Sequence, residues 1–139
     1  RVLSNSSACV ETAQGPVHVA GLEDHSSGTP DVASALSGIE GEEPVIVLAH
    51  DPASFVDVPE GPAVTICGHT HGGQVRLPFY GALVTFSKHG KEYEGGLYQE
   101  ASTTLFVSRG LGMEGRGFPR VRFLCPPEIA LLEAGGDER

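Results

Sequence analysis

The segment Gly68-His69-Thr70-His71-Gly72-Gly73-Gln74, with His50-Asp51-Pro52 upstream, holds the residues best suited to chemistry, and it takes up three of the six histidines. In extended backbone, residues i and i+2 point to the same side, so His69 and His71 can enter one site while Thr70 faces away. Imidazole is a ligand for Zn, Fe, Ni and Mn-like ions, and His50 supplies a third ring. Asp51 beside it can ligate, orient a histidine from behind, or cap the following turn. Gly68, Gly72 and Gly73 leave room for tight turns and close backbone approach. The spacing predicts that His50, His69 and His71 converge on metal.

Two short apolar runs must position these side chains. Pro44-Val45-Ile46-Val47-Leu48-Ala49 and Pro62-Ala63-Val64-Thr65-Ile66-Cys67 are β-branched and bounded by Pro or Gly, the pattern of buried strands. The histidines then fall at strand C-terminal ends, where open α/β sheets place their ligand sites. Further strands are predicted at 17–20, 103–108, 121–123 and 129–132. A short helix is predicted over 31–37, with Thr29 as N-cap, Pro30 at the first position and Gly38 as its stop. Pro52 to Val56 reads as a turn or short helix, residues 76–101 as irregular because Gly90, Gly95 and Gly96 break any long element, and 135–139 as a loose tail. Elements that alternate in part and then become β-dominated favour a layered α/β domain with sheets packed face to face.

A length of 139 residues and 40% hydrophobic content give one domain's worth of globular chain. No apolar run approaches the roughly 20 residues of a membrane helix. The net charge of −9 argues against nucleic acid as a partner, because duplex binding needs a basic footprint. Charge is unevenly placed: Arg76, Lys88, Lys91, Arg109, Arg116, Arg120 and Arg122 are seven of the nine Lys and Arg residues. That positive segment either faces an anionic substrate or solvates a loop-rich surface. Cys9, Cys67 and Cys125 have no close pairing and read as reduced thiols of a cytoplasm-like compartment, with one disulfide left open. Cys67, at the end of an apolar run, reads as a buried structural thiol. Glu23-Asp24-His25 is either a ligand cluster or, the favoured reading, a polar turn or helix-capping element. No Gly-x-Ser-x-Gly elbow, phosphate-loop lysine, Rossmann glycine fingerprint or Cys-x-x-Cys is present. Arg109-Gly110-Leu111-Gly112 lacks strand-to-helix context and reads as a plain loop.

Leu48-Ala49-His50-Asp51-Pro52, followed by Gly68 to Pro78, resembles the C-terminal half of the calcineurin-like metallophosphoesterases. The resemblance is closer to a bacterial subgroup with Gly-Leu-Tyr, Val-Ser-Arg-Gly-Leu-Gly and Pro-Pro-Glu-Ile, here Gly96 to Tyr98, Val107 to Gly112 and Pro126 to Ile129. Ala20-Gly21-Leu22-Glu23-Asp24 also resembles a segment of that subgroup, so the similarity spans residues 15–134.

That resemblance implies part of a four-layer α/β/β/α sandwich with a dinuclear centre of two divalent ions (Mn, Fe, Zn or Ni) in the loops at strand ends. It assigns His50 and His69 to one metal, His71 to the other, and Arg109 or Arg76 to the phosphate. The family's Asp-x-His, Gly-Asp-x-x-Asp and Gly-Asn-His motifs, which supply its bridging aspartate and catalytic histidine, do not occur in this sequence. With Arg1 first and Met113 the sole methionine, the expectation is that residues 1–134 are the C-terminal portion of a phosphoesterase domain whose N-terminal half is absent. This chain then holds no catalytic residue and is inactive alone. The implied parent is a phosphatase, phosphodiesterase or pyrophosphatase, cytoplasmic or peripheral to the inner membrane face. Its substrate is a phosphorylated small molecule or a lipid-linked one such as UDP-diacylglucosamine. The alternative is a non-catalytic metal-binding or interaction domain derived from that fold.

Overall fold

Val45 to Leu48 and Ala63 to Cys67 form neighbouring parallel strands, as their apolar, β-branched sequences require. The computed structural model describes residues 1–40, 42–89, 91–115 and 120–133. In chain order its elements are β1 (Ser6–Thr12), β2 (Gly15–Gly21), α1 (Val32–Leu36), β3 (Val45–Leu48), β4 (Ala63–Cys67), β5 (Arg76–Leu77), β6 (Gly81–Ala82), β7 (Gly96–Glu100) and β8 (Thr103–Val107), with 3-10 turns at Pro52–Asp57 and His71–Gly73. The result is an α/β fold with two sheets. The larger has the order β1-β2-β3-β4-β8-β7, and the smaller pairs β5 with β6. Strands β2, β3, β4 and β8 run parallel, and antiparallel partners β1 and β7 close the two edges.

Register separates the two faces of the large sheet. Ala20, Val47, Thr65 and Leu105 lie side by side across four strands and are fully buried. Beyond them Cys67 and Val107 join Phe55, Leu105 and Tyr93 in the core, with Ala49 and Tyr98 packed against it. Tyr93 meets Phe55 and Tyr98 edge-to-face at centroid separations of 5.7 and 5.3 Å, a favourable aromatic geometry. The opposite face carries Val19, Ile46 and Val64 in one row and Leu48, Ile66, Phe106 and Leu97 in the next. All seven are partly or largely exposed, Leu97 to 69%.

The short helix forms where expected, but Asp31 caps it in place of Thr29, accepting the Ser34 amide at 2.9 Å. Thr29 is held elsewhere: its amide goes to Glu23 and its carbonyl accepts from Asn5. Gly90 lies outside the described residues, but the rest of 76–101 is more ordered than its glycines suggested, since β7 lies inside it and uses positive φ at Gly95 and Gly96 to enter its hairpin with β8. Conversely, no strand forms at 121–123 or 129–132. Phe123 makes a single bridge with Val75, while Ile129 and Leu131 are more than four-fifths exposed. Pro126 and Pro127 have no N–H to give a sheet ladder. The polar strand β1 was not foreseen, and the tail at 135–139 lies outside the described residues, as does Arg116.

Candidate metal site at the strand ends

His50 follows β3 and Gly68 follows β4, and the parallel ladder continues one step past both strands, from Gly68 N to His50 O at 3.1 Å. Ser108 N to Cys67 O at 2.8 Å does the same between β4 and β8. The three loops are therefore fixed at one edge of the sheet. Thr70 is fully buried beneath the surface loop, donating to the Glu94 carbonyl and accepting from the Gly72 amide. The loop around it is not extended, with φ of 65° at His69, −65° at Thr70 and 51° at His71, so the i, i+2 rule for strands does not apply to this pair of histidines.

His69 Nδ1 faces His50 Nε2 at 3.0 Å, with the rings edge-to-face. Two such nitrogens either share one proton or present both lone pairs to a cation. With metal–nitrogen bonds of roughly 2.0–2.1 Å, a 3.0 Å separation subtends about 90–97° at a common ion, the angle between neighbouring octahedral ligands. The pair fits a divalent ion. Behind it, Asp51 Oδ2 lies 3.7 Å from His69 Nε2. The other Asp51 oxygen accepts from the Ala53 amide and the Ser87 hydroxyl, at 2.8 and 2.9 Å. Asp51 therefore caps the turn and also faces the back of His69, two of the three roles its position allowed.

Asp24 closes the front. Its Oδ2 is 3.7 Å from His50 Nε2, while Oδ1 accepts the Ser26 amide at 2.7 Å. That hydrogen bond holds the carboxyl below the usual aspartate range, and His50 and His69 act in the same direction. Glu23 bonds Ser4 and Thr29, and His25 contacts the Ser54 hydroxyl. The cluster is a polar turn, as favoured, with one member beside the histidine pair.

His71 places Nδ1 3.1 Å from the Gly112 carbonyl. Among the described residues no group of three or more His, Cys, Asp or Glu side chains is arranged to hold a metal ion. The structure brings His50 and His69 together and leaves His71 at a separate position on the same loop. Backbone geometry there is unusual: His69, His71 and Gln74 have φ of 65°, 51° and 54°. Such left-handed conformations in residues other than glycine persist only where surrounding contacts hold them, and they cluster at functional sites.

Neither expected phosphate arginine is unengaged. Arg76 donates to Glu94 at 2.7 Å and to the Gly72 carbonyl, and Arg109 pairs with Glu128 at 3.2 Å. Cys67 is buried, and burial, with the Asp51 charge adding to it, pushes its thiol up to about 12. It is structural, and all three cysteines are free. An open cleft of about 420 Å³ is lined by Arg76, Leu77, Phe79, Tyr80, Glu94 and Leu124. None of the three histidines borders it; the His50 side chain is 51% exposed and that of His69 29%. Sequence reasoning missed Arg122, whose partners are mostly main-chain carbonyls and carry no sequence signature.

Two imidazoles thus stand paired at the ends of adjacent parallel strands of an α/β sheet. By sequence the chain is homologous to several bacterial metallophosphoesterases. It is 40% identical over 117 residues to the uncharacterized metallophosphoesterase YkuE of Bacillus subtilis, covering 84% of this chain and 40% of that protein. It is 33% identical over 140 residues to the UDP-2,3-diacylglucosamine pyrophosphatase LpxG of Chlamydia trachomatis, and 32% over 135 residues to the phosphodiesterase YaeI of Escherichia coli. Those alignments cover 95% of this chain but only 40% and 46% of the relatives, so the chain spans less than half the length of each. No protein-family model matches it, and no solved structure does. Among the described residues no helix is long and apolar enough to cross a membrane.

Proposed function

We propose that residues 1–134 are the C-terminal portion of a calcineurin-like metallophosphoesterase domain and supply the histidine side of a dinuclear centre. The observation that carries this reading is the His50–His69 nitrogen pair at 3.0 Å on adjacent strand ends, in a chain homologous to metallophosphoesterases. His50 and His69 would hold one divalent ion and His71 the second, the two drawn from Mn, Fe, Zn and Ni. Such ions lower the pKa of bound water from 15.7 towards about 7 and offset charge on a phosphoryl group. Asp51 keeps His69 oriented from behind, and Asp24 lends negative charge to the cation site in front. The relatives' names point to cleavage of a phosphodiester or pyrophosphate, and that of LpxG to a lipid-linked nucleotide sugar. A phosphorylated substrate of that kind, at or near the inner membrane face, is proposed here. Arg109 or Arg76 would reach its phosphate by exchanging a carboxylate partner for it.

The bare apolar face of the large sheet supports the four-layer architecture. Parallel strands are ordinarily covered on both sides, yet the row Leu48, Ile66, Phe106 and Leu97 is partly open. A second sheet from the rest of a longer protein would cover it. Two-metal sites also need about seven or eight ligands and a bridging carboxylate, more than this edge provides.

The complete natural protein should hydrolyse bis-p-nitrophenyl phosphate with Mn and lose that activity to a chelator. The 139-residue chain should show little or none. An inactive complete protein that still binds metal would favour a non-catalytic metal-binding domain, a reading to which the carboxylate-paired state of Arg76 and Arg109 lends weight. Robust turnover by the 139-residue chain, abolished by His69→Ala, would refute the division of the site.

A further inference from the structure

We propose that Arg122 is the positioning residue for His71: by gripping the Gly112 carbonyl it keeps the imidazole proton on Nδ1 and leaves Nε2 as the free lone pair. Arg122 belongs to the positive segment, but among the described residues its guanidinium is engaged with main-chain carbonyls. Nε and Nη2 both donate to Gly112 O, at 3.1 and 2.7 Å. Nη2 also reaches the Arg109 and Gly110 carbonyls, and Nη1 reaches those of His71 and Cys125. One side chain thus ties together the main chain of residues 109–112, 125 and His71 itself.

The consequence for His71 follows from donor and acceptor rules. A carbonyl only accepts, so the ring nitrogen 3.1 Å from Gly112 O must carry the proton. In the neutral ring the opposite nitrogen is then deprotonated, the form a metal takes. A histidine side chain in water prefers the other neutral tautomer, with its proton on Nε2, so the Gly112 carbonyl has to be held in place to reverse that preference. Arg122 holds it, and through Nη1 it also holds the carbonyl of His71, whose φ of 51° needs outside support. Lysine cannot substitute: its donors radiate from one point, whereas five carbonyls here are met by a planar fork.

The metal consequence rests on the ligand role proposed above for His71, but the tautomer does not, and the test separates them. In the metal-free complete protein, at a pH where the His71 ring is observed neutral, long-range ¹H–¹⁵N correlation should show His71 protonated on Nδ1. Arg122→Met should shift His71 to a mixture dominated by the Nε2-protonated form while the His50 and His69 signals stay put. Arg122→Lys, which keeps the charge and loses the fork, should shift it the same way and carries the test if the methionine variant does not fold. Mn titration should then weaken about 10-fold at one site, the low end of the range for partners behind a metal ligand. A wild-type His71 protonated on Nε2, or one that stays protonated on Nδ1 in the folded variants, overturns the proposal. A tautomer shift in a protein that binds no metal leaves Arg122 in its role and removes the metal reading instead.

Discussion

Replacing Gly72 by alanine tests how tightly the histidine loop is built. Gly72 has φ of 63°, and a Cβ there would come 2.7 Å from Arg109 Cγ and 2.7 Å from Cys125 Sγ. The left-handed backbone costs an L-residue roughly 1–2 kcal/mol. Overpacking adds roughly 1–3 kcal/mol, because Cys125 is buried and cannot move aside as an exposed chain would. Gly72→Ala should therefore destabilise by about 2–5 kcal/mol. Two other glycines separate these effects. Gly110 has φ of 61° with nothing within 4 Å, so Gly110→Ala should cost only the backbone part. Gly68 has no left-handed φ and its nearest neighbour would be 3.7 Å away, so Gly68→Ala should change stability by less than about 1 kcal/mol. Equilibrium urea unfolding of the three variants, read as midpoints at constant slope, gives the ranking. If Gly72→Ala costs no more than Gly110→Ala, the packing of this loop against Arg109 and Cys125 is wrong.

Thr65 is fully buried between Val47 and Leu105, and among the described residues its hydroxyl has no hydrogen-bond partner. Thr65→Val should accordingly stabilise by about 1 kcal/mol, measured by the same unfolding experiment, and a loss of stability would reveal a partner for that hydroxyl. For Cys67, the unfolded thiol loses its proton near 9.0 while the folded one holds it to about 12. Stability should be intact below pH 9 and fall by about 1.4 kcal/mol per pH unit between those values. In native protein at pH 9, mass spectrometry should find iodoacetamide on exposed Cys9 and not on Cys67; equal labelling would contradict the buried assignment.

Much of the site was legible because strand-forming sequence and ligand chemistry coincide. The runs before His50 and Gly68 are apolar and β-branched, so their strands, and the edge on which the histidines stand, followed directly. That His50 and His69 meet follows from adjacent parallel strands. The direction of His71 does not, because it depends on a carbonyl 41 residues away in a glycine-rich loop. Polar Ser6 to Thr12 hid an edge strand that pairs on one side only, and Gly95-Gly96 hid the start of β7. At the other end, Val121 to Phe123 looked like a strand by composition. Arg122 instead uses its fork on loop carbonyls, and the backbone there makes one bridge. Local pattern finds elements that a sheet would pair anyway; it does not find contacts between a side chain and distant main chain.

Metal analysis of the complete protein and of its His50→Ala, His69→Ala and His71→Ala variants tests the central claim most directly. Loss of the same ion from His50→Ala and His69→Ala, with a different ion lost from His71→Ala, is the expected result. Full metal occupancy in all three, accompanied only by a stability loss of about 1–3 kcal/mol, would contradict it and leave these histidines as hydrogen-bonding groups in a glycine-rich loop.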